Sequence, residues 1–380
     1  MIICFTADAG AKIALDNLLN SRMYKDASEA ICVSLINHDI IQREAQHNGT
    51  LQITRVDLSD DRSPFVQGSR RRGPHGPPRL RGPDAQSTKG GGGHLSVGVP
   101  EIFNIPQTKP SPDEFPPIAE TTDADEVTGP RQWLFGQYNK LLPVKATLRA
   151  LLNLSGSNSQ GIPLDEAMRT ISTEAWLLGD YLDSVDEERG KRETLLATAF
   201  PTTRGSGSPG QSRFANQFVL SVNAEGRATG LPIALRMIAY ASGKTPRVNL
   251  TKQGATFALL ENPVLDQPTD SSESKFSPDE VSFLINHIRT YVPEERSAFK
   301  IVLNALLEGA TTPKGLDGFL TRNYRDSEIT SAFMSLQRSG VISRLIDLEL
   351  VRRVREGTRV TYTVTESGKE LCGQLADIKT

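Results

Sequence analysis

Most patterned parts of this sequence place their apolar residues at helical spacing, and only a few short runs alternate between apolar and polar positions. Near residue 300, apolar residues recur every three or four positions and predict a core-facing helix surface; they are Val302, Leu303, Leu306 and Leu307. Residues 351–365 instead carry the turn residues Glu356–Gly357 followed by a run that alternates between apolar and polar positions, which predicts a β-hairpin. Together these patterns predict a mainly α-helical protein with small β elements, of the α+β class.

A stretch rich in proline, glycine and arginine interrupts the patterned parts. It contains the runs RRRGPHGPPRLRGP and KGGGGH, and its few apolar residues cannot offset the entropy lost when a chain becomes ordered. We therefore interpret residues 49–131 as a long, disordered and flexible linker. It separates an N-terminal module, residues 1–48, from two further domains, residues 132–266 and 276–380.

The two larger domains end with the same local pattern. RVNLTKQGATFALL and VTYTVTESGKELCGQL each begin as a strand, turn at a threonine and continue through a glycine into an apolar-periodic helix. Thr251 corresponds to Thr365, and Gly254 to Gly368, at a constant offset. We interpret the two domains as copies of one architecture.

The N-terminal module contains one short strand, IICFTAD, followed by two amphipathic helices. The second helix has the pattern of a capping box, with Asp26 as its N-cap and Glu29 three residues later. So small a module cannot bury a sufficient core alone and needs a partner copy. The stretch from ICFTADAG to VSLINHDI, with KDASEAI as its most specific part, resembles the ribbon-helix-helix family of small dimeric repressors, of the copy-number and methionine-repressor type.

This resemblance implies a homodimer formed through residues 1–48, whose two-stranded ribbon enters the DNA major groove. Cys4 and Thr6 would then face the bases, and Lys25 and Ser28 would lie at the phosphate-binding start of the second helix. The ribbon has no Arg, Lys, Asn or Gln, which departs from the usual choice of base-reading side chains. A dimerisation module with little or no base readout is therefore the alternative.

Residues 276–380 have the pattern of successive helices, a hairpin and a closing helix. The run SRLIDLELVRRVREGTRVTYTVTESGKEL resembles the recognition-helix-to-wing region of the winged helix-turn-helix superfamily, in its antibiotic-resistance-regulator form. That family commonly has glycine at the position of Glu349, a departure that we expect to matter little for the fold. Residues 132–266 then become a second, more divergent winged helix without a basic wing.

The resemblance implies that the C-terminal domain contacts double-stranded DNA. Arg338 and Arg344 would lie on the recognition helix and read bases. The hairpin carries further arginines, which would reach phosphates or the minor groove as a wing; they are Arg352, Arg353, Arg355 and Arg359. The alternative is a solvated hairpin face on which these arginines pair with Asp347 and Glu356.

Charge supports a local contact with DNA rather than a global one. The chain has 43 Lys and Arg residues against 45 Asp and Glu residues, for a net charge of -2, so any polyanion-binding surface must be local. Between Arg338 and Arg359, six arginines stand against three acidic residues. This region is therefore a local basic patch.

Nothing in the sequence predicts a catalytic centre, a cofactor or a metal site, so we expect no enzyme activity. The histidines lack metal-ligand spacing, and Cys4, Cys32 and Cys372 are too scattered for a zinc site or a disulfide framework. The run DEERGKRE is better explained as a solvated helix end than as a nuclease motif. No apolar run is long enough to span a bilayer, and no secretion signal is recognisable; we therefore expect a cytoplasmic, nucleoid-associated protein with no membrane partner.

We interpret the whole chain as a dimeric DNA-binding protein in which a flexible linker joins several weakly binding modules and raises their combined avidity. The favoured role is transcriptional regulation. Two alternatives remain open: a plasmid or chromosome maintenance factor, meaning a replication initiator or a partition adaptor, and a protein-interaction scaffold built on winged helices. The expected partners are double-stranded DNA and a second copy of the chain, and the sequence identifies no further protein partner.

Overall fold

The computed structural model describes residues 98–118, 127, 129–155, 161–190, 195–202, 209–266, 274–324 and 330–376. All of them belong to the second of two units into which the chain divides, residues 93–380. The predicted N-terminal module, with Cys4, Thr6, Lys25 and Ser28, lies outside the described residues, as does the first part of the predicted linker. The described residues form mainly helices with small antiparallel sheets, which confirms the predicted α+β class.

The middle block, up to residue 266, combines helices with short strands. Its helices are α1 (Leu142–Ser155), α2 (Leu164–Arg189), α3 (Pro209–Phe214), α4 (Leu231–Ala234) and α5 (Lys252–Leu259). Its strands are β1 (Ile162–Pro163), β2 (Ser221–Val222), β3 (Ala228–Thr229), β4 (Ile238–Ala241) and β5 (Arg247–Leu250). β1, β5 and β4 form an antiparallel sheet in that order, and β2 pairs with β3 around the predicted NAEGR turn.

The C-terminal block has the element order that the sequence predicts. Its elements are α6 (Pro278–Tyr291), α7 (Pro293–Leu307), α8 (Pro313–Asn323), α9 (Ser331–Asp347), β6 (Val351–Glu356), β7 (Arg359–Val364) and α10 (Glu366–Ala376). Three of the four apolar residues predicted to face the core from α7 are buried. Leu307 is 48% exposed instead, because it is the last residue of the helix and projects beyond the packed surface.

Both blocks close with the predicted strand, threonine, glycine and helix, which confirms the signature found in the sequence. Thr251 caps α5 by accepting a hydrogen bond from the backbone N–H of Gly254 at 3.1 Å. Thr365 does the same for α10, where Gly368 N donates to its hydroxyl at 3.1 Å. A Cβ at either glycine would collide with a backbone carbonyl that precedes the hairpin, so the closing helix can approach this closely only with glycine there.

The chain enters each hairpin through a residue in the left-handed region, Arg236 or Glu349, each with a φ of 58°. The carbonyl oxygens of these residues accept hydrogen bonds from the hydroxyls of Thr251 and Thr365, at 3.0 and 2.9 Å. This conformation costs a residue that has a Cβ about 1–2 kcal/mol of conformational free energy. The hairpin and the closing helix form with Glu349 in place, so its φ bears on stability and not on the element order.

Residues 98–118 pack on the folded unit, although the sequence predicts a flexible linker as far as residue 131. Phe103 is fully buried and Phe115 is 6% exposed. Asn153 of α1 donates to the backbone carbonyls on both sides of Phe103, at 2.9 and 2.8 Å. The predicted end of the linker is therefore wrong. These aromatic side chains supply a local burial that the high proline content obscures in the sequence.

One hydrophobic core runs through both blocks, and buried polar contacts cross between them. Lys145 of α1 pairs with Glu280 of α6 at 2.8 Å, and both side chains are fully buried. The Nε2 atom of His287, also on α6, hydrogen-bonds with Leu235 O at 2.7 Å. The middle and C-terminal blocks are thus fastened to each other through their interiors.

Candidate nucleic-acid interface

The helix that the sequence assigns to base reading, α9, is buried on almost every side. Few of its residues are exposed, namely Ser331, Ala332 and Ser339. Arg344 is fully buried and donates to both carboxylate oxygens of Glu295, at 2.5 and 2.8 Å, and to Tyr138 O. This placement corrects the predicted base contact of Arg344, because its guanidinium is enclosed and its donors are engaged inside the protein.

Arg338, the other predicted base-reading residue on α9, contacts the neighbouring helix α8. Its Nε atom donates to Asp317 Oδ1 of α8 at 2.7 Å, and its Nη2 atom donates to Ser335 Oγ at 2.8 Å. Its relative exposure is 9%. The prediction for Arg338 is corrected in the same way, since its ion pair fastens α9 to α8.

The chain that precedes α1, residues 129–141, covers one face of α9. Gln337 donates to Pro130 O at 2.8 Å, and Lys140 Nζ donates to Ser343 Oγ at 2.8 Å. Between these contacts, the backbone of residues 129–141 and that of α9 approach each other closely at Gly136 and Gly340. A Cβ on Gly136 would collide with the backbone of α9, and a Cβ on Gly340 would collide with the backbone of Gly136. Positions 337, 340 and 343 lie on one face of a helix. That face is therefore occupied by the protein itself.

The hairpin β6–β7 extends beyond the core and carries the remaining predicted arginines. Its register pairs Arg352 with Thr363, Arg353 with Tyr362, and Glu356 with Arg359. Strand side chains alternate between the two faces of the hairpin. On one face, residues far from the turn are buried in the core, and Arg353 and Arg355 lie closer to the turn. The other face presents Arg352 and Arg359, together with Val354 and two threonines. All four arginines are exposed.

The four hairpin arginines form no ion pair with a carboxylate in the described part of the chain. Arg355 makes a local hydrogen bond to Gly357 O at 3.1 Å within its own turn. Neither Glu356, opposite Arg359 in the register, nor Asp347 lies within ion-pair distance of them. Guanidinium groups remain charged at any pH the folded protein meets. The hairpin therefore presents uncompensated positive charge to solvent.

The corresponding hairpin of the middle block, β4–β5, has a different character. Its turn carries one exposed cation, Lys244. Arg247 donates to Gly161 O at 2.9 Å, and Arg236 pairs with Glu294 of α7 at 3.3 Å. The cations at its base are thus engaged within the protein.

Two lysines that sequence reasoning missed lie at the base of the β6–β7 hairpin. Lys275 Nζ is 3.2 Å and Lys140 Nζ is 3.7 Å from the same oxygen, Oδ1 of Asp347. Burial lowers the pKa of Lys140; Asp347 opposes that shift, and the charges of Lys275 and Arg353 add to it. No local pattern could have identified this cluster, because its members come from segments far apart in the sequence.

Asp186, the first residue of the acidic run DEERGKRE, has a structural role near the end of α2. Asp186 is 4% exposed and accepts hydrogen bonds from the backbone N–H groups of Leu196 and Ala197, at 2.7 and 2.9 Å. It also pairs with Arg189 at 3.2 Å. The carboxylate is therefore occupied in holding a turn, and it is more buried than the predicted solvated helix end.

In the ranges that the structure describes, no helix is both long and apolar enough to cross a membrane. Comparisons of the chain with protein-family models, with curated proteins and with solved structures found no match. The interpretation of the site therefore depends on its own geometry: an exposed arginine hairpin, a lysine cluster at its base and a neighbouring helix that is largely enclosed.

Proposed function

We propose that this chain is a double-stranded DNA-binding protein whose C-terminal block contacts the sugar–phosphate backbone through the β6–β7 hairpin. The observation that carries the proposal is the absence of carboxylate partners for the hairpin arginines among the described residues, while the buried cations Lys145, Arg149 and Arg344 all have such partners. Exposed cations without a carboxylate partner can pair with the phosphates of a polyanion and release its counterions.

The geometry favours contact through the hairpin over contact through α9. A helix reads the major groove with side chains that project from an open face, and the face of α9 next to residues 129–141 is covered. Arginine suits both phosphate forks and a narrow minor groove. We therefore expect binding that depends strongly on salt and discriminates weakly between sequences when this block acts alone.

The wider proposal assigns both described blocks to the winged-helix class and residues 1–48 to a ribbon-helix-helix module that forms a homodimer. In this arrangement the N-terminal module supplies dimerisation and any base readout, and the C-terminal hairpin adds phosphate contacts on the same molecule. Linked weak contacts raise each other's effective concentration. Transcriptional regulation is the role that we favour; a maintenance factor would differ by binding repeated direct sites rather than a short palindrome.

A protein-interaction scaffold is the second candidate, and the burial of α9 favours it. In a winged helix, the recognition helix normally provides the DNA-reading surface. Here that helix would instead contact another part of the same protein. Val354, 42% exposed on the hairpin, adds apolar area that suits a protein partner. A scaffold of this kind would show no salt-dependent affinity for DNA.

The two candidates are separated by a salt titration of DNA binding. Fluorescence anisotropy measures the affinity for duplexes of roughly two helical turns. The wild type is compared with a triple variant that carries Arg352→Gln, Arg355→Gln and Arg359→Gln. A matched control removes the same charge from exposed positions elsewhere, through Arg227→Gln, Lys314→Gln and Arg322→Gln. We expect the hairpin variant to lose about 0.9 units of slope for each phosphate contact removed, in a plot of log affinity against log salt.

The control variant should keep nearly the wild-type slope. Equal losses in the two triple variants would indicate nonspecific attraction to the whole surface and would contradict the assignment to the hairpin. A wild type that does not bind duplex at low salt would move the scaffold to first place.

A further inference from the structure

The C-terminal end of α9 holds more positive charge than its single carboxylate can balance. Asp347 is nearly fully buried, and its Oδ1 atom meets the ammonium groups of both Lys275, at 3.2 Å, and Lys140, at 3.7 Å. Its Oδ2 atom accepts a hydrogen bond from the backbone N–H of Leu141 at 3.2 Å. Both oxygens of the carboxylate are thus already used.

A third cation, Arg353, approaches from the hairpin. It lies on the β6 face that leads into the core, and its charge is close enough to lower the pKa of Lys140. Arg353 has no carboxylate partner among the described residues. Three cations are therefore grouped near the one buried carboxylate of Asp347, and they come from three separate segments: the chain before α1, the residues before α6, and β6.

A purely structural role accounts for only part of this cluster. One lysine would satisfy Asp347, and the carbonyl groups at a helix C-terminus favour a nearby cation. A second lysine and an arginine at the same place repel each other and the first lysine. The side chains of Lys140 and Lys275 are only 20% and 13% exposed, and the two ammonium groups share a single buried carboxylate as their counter-charge.

We propose that Lys140, Lys275 and Arg353 form an oxyanion-binding site at the base of the β6–β7 hairpin, and that its ligand is a backbone phosphate of nucleic acid. The site rests on the proposed DNA-binding function and deepens it. Ser343, whose hydroxyl accepts from Lys140 Nζ at 2.8 Å, is placed to donate its own proton to the same phosphate. A phosphate here would lie beside the exposed arginines of the hairpin, so one strand of a duplex could contact both.

The experiment uses the full chain and two single variants that leave Asp347 paired with Lys140. They are Lys275→Gln and Arg353→Gln; Arg353 is exposed, so its replacement does not threaten folding. The matched control is Lys369→Gln, an exposed lysine of α10 that pairs with Glu366 at 2.7 Å. Arg359→Gln, near the hairpin turn, serves as the probe of the proposed function itself.

Each protein is titrated with duplex DNA over a series of salt concentrations and, in a second arm, with inorganic pyrophosphate followed by thermal unfolding. We expect Lys275→Gln and Arg353→Gln each to reduce the DNA salt slope by about 0.9 units, and Lys369→Gln to leave it unchanged. Asp347→Asn, which removes the only negative charge of the cluster with little change of shape, should tighten DNA binding. Weaker or equal binding by a folded Asp347→Asn protein would count against the site.

The outcomes separate the site from the function on which it rests. A reduced slope in Arg359→Gln but not in Lys275→Gln or Arg353→Gln would overturn the site and leave the proposed function in place. Unchanged slopes in all of these variants would overturn both. Stabilisation by pyrophosphate that is lost in Lys275→Gln and Arg353→Gln, with DNA binding unaffected, would assign the cluster to a free anion and overturn the nucleic-acid ligand.

Discussion

Arg344 and Glu295 form a two-point ion pair in the interior of the C-terminal block, with both side chains fully buried. The pair joins α9 to α7, and the same guanidinium also donates to Tyr138 O in the segment that covers α9. Arg344, which the sequence predicts to contact DNA, therefore links α9, α7 and the segment of residues 129–141 inside the protein.

Removal of Arg344 should therefore destabilise the protein rather than change its base preference. Arg344→Ala leaves Glu295 buried without its partner, and breaking a buried pair from one side costs about 3–5 kcal/mol. Urea unfolding followed by circular dichroism measures this loss. The double variant Arg344→Met with Glu295→Leu should recover most of the stability, since no charge is then left unpaired. Arg355→Ala, an exposed control, should stay within about 0.5 kcal/mol of the wild type; an equally stable Arg344→Ala protein would contradict the account.

Glu349→Gly should stabilise the protein. The residue has a φ of 58°, where a Cβ costs about 1–2 kcal/mol, and glycine gives back part of that gain because it is more flexible in the unfolded chain. The expected net gain is roughly 0.5–1 kcal/mol in the free energy of unfolding. Glu349→Ala keeps the Cβ and is the control, with no gain expected. A Glu349→Gly protein less stable than the alanine variant would show that the left-handed turn is not maintained.

Two helical glycines should respond in opposite directions to the same substitution. Gly340→Ala places a methyl group against the backbone of Gly136, so overpacking should cost about 1–3 kcal/mol and loosen residues 129–141 from α9. Gly373→Ala on α10 meets open space and should gain up to about 1 kcal/mol from helix propensity. Thermal unfolding gives both signs. Limited proteolysis near residue 130 should accelerate only in Gly340→Ala.

The fold was predictable where its determinants are local. The β6–β7 hairpin follows from a turn signal and from the alternation of its second strand, and the closing helices follow from a threonine cap and a close-packed glycine. The candidate site was only half predictable. The exposed arginines lie on that local hairpin, but the enclosure of Arg344 depends on Tyr138, 206 positions away. Local periodicity carries no information about which distant segment will cover a helix face.

The stability of the protein should depend on pH through Lys145, which is buried against Glu280 at 2.8 Å. Burial lowers the pKa of Lys145 from 10.5 to about 8, although Glu280 opposes the shift. Between these two values the unfolded chain binds more protons than the folded protein, so the free energy of unfolding rises with pH in that window. The double variant Lys145→Met with Glu280→Gln should lose this rise. Urea unfolding between pH 8 and pH 10.5 measures the difference, and parallel curves for the two proteins would contradict the assignment.

Photocrosslinking from single positions distinguishes DNA contact through the β6–β7 hairpin from DNA contact through α9. A benzophenone amino acid is placed at Thr358 in the β6–β7 turn, at Ser339 on an exposed part of α9, or at Ser367 on α10, all of which are exposed positions. Each full-length protein is irradiated with labelled duplex DNA, and the crosslinked fraction is measured on a denaturing gel. If the hairpin contacts DNA, we expect strong crosslinking from Thr358, with Ser339 and Ser367 at background. Crosslinking from Ser339 with none from Thr358 would assign the contact to α9 and overturn the proposed interface.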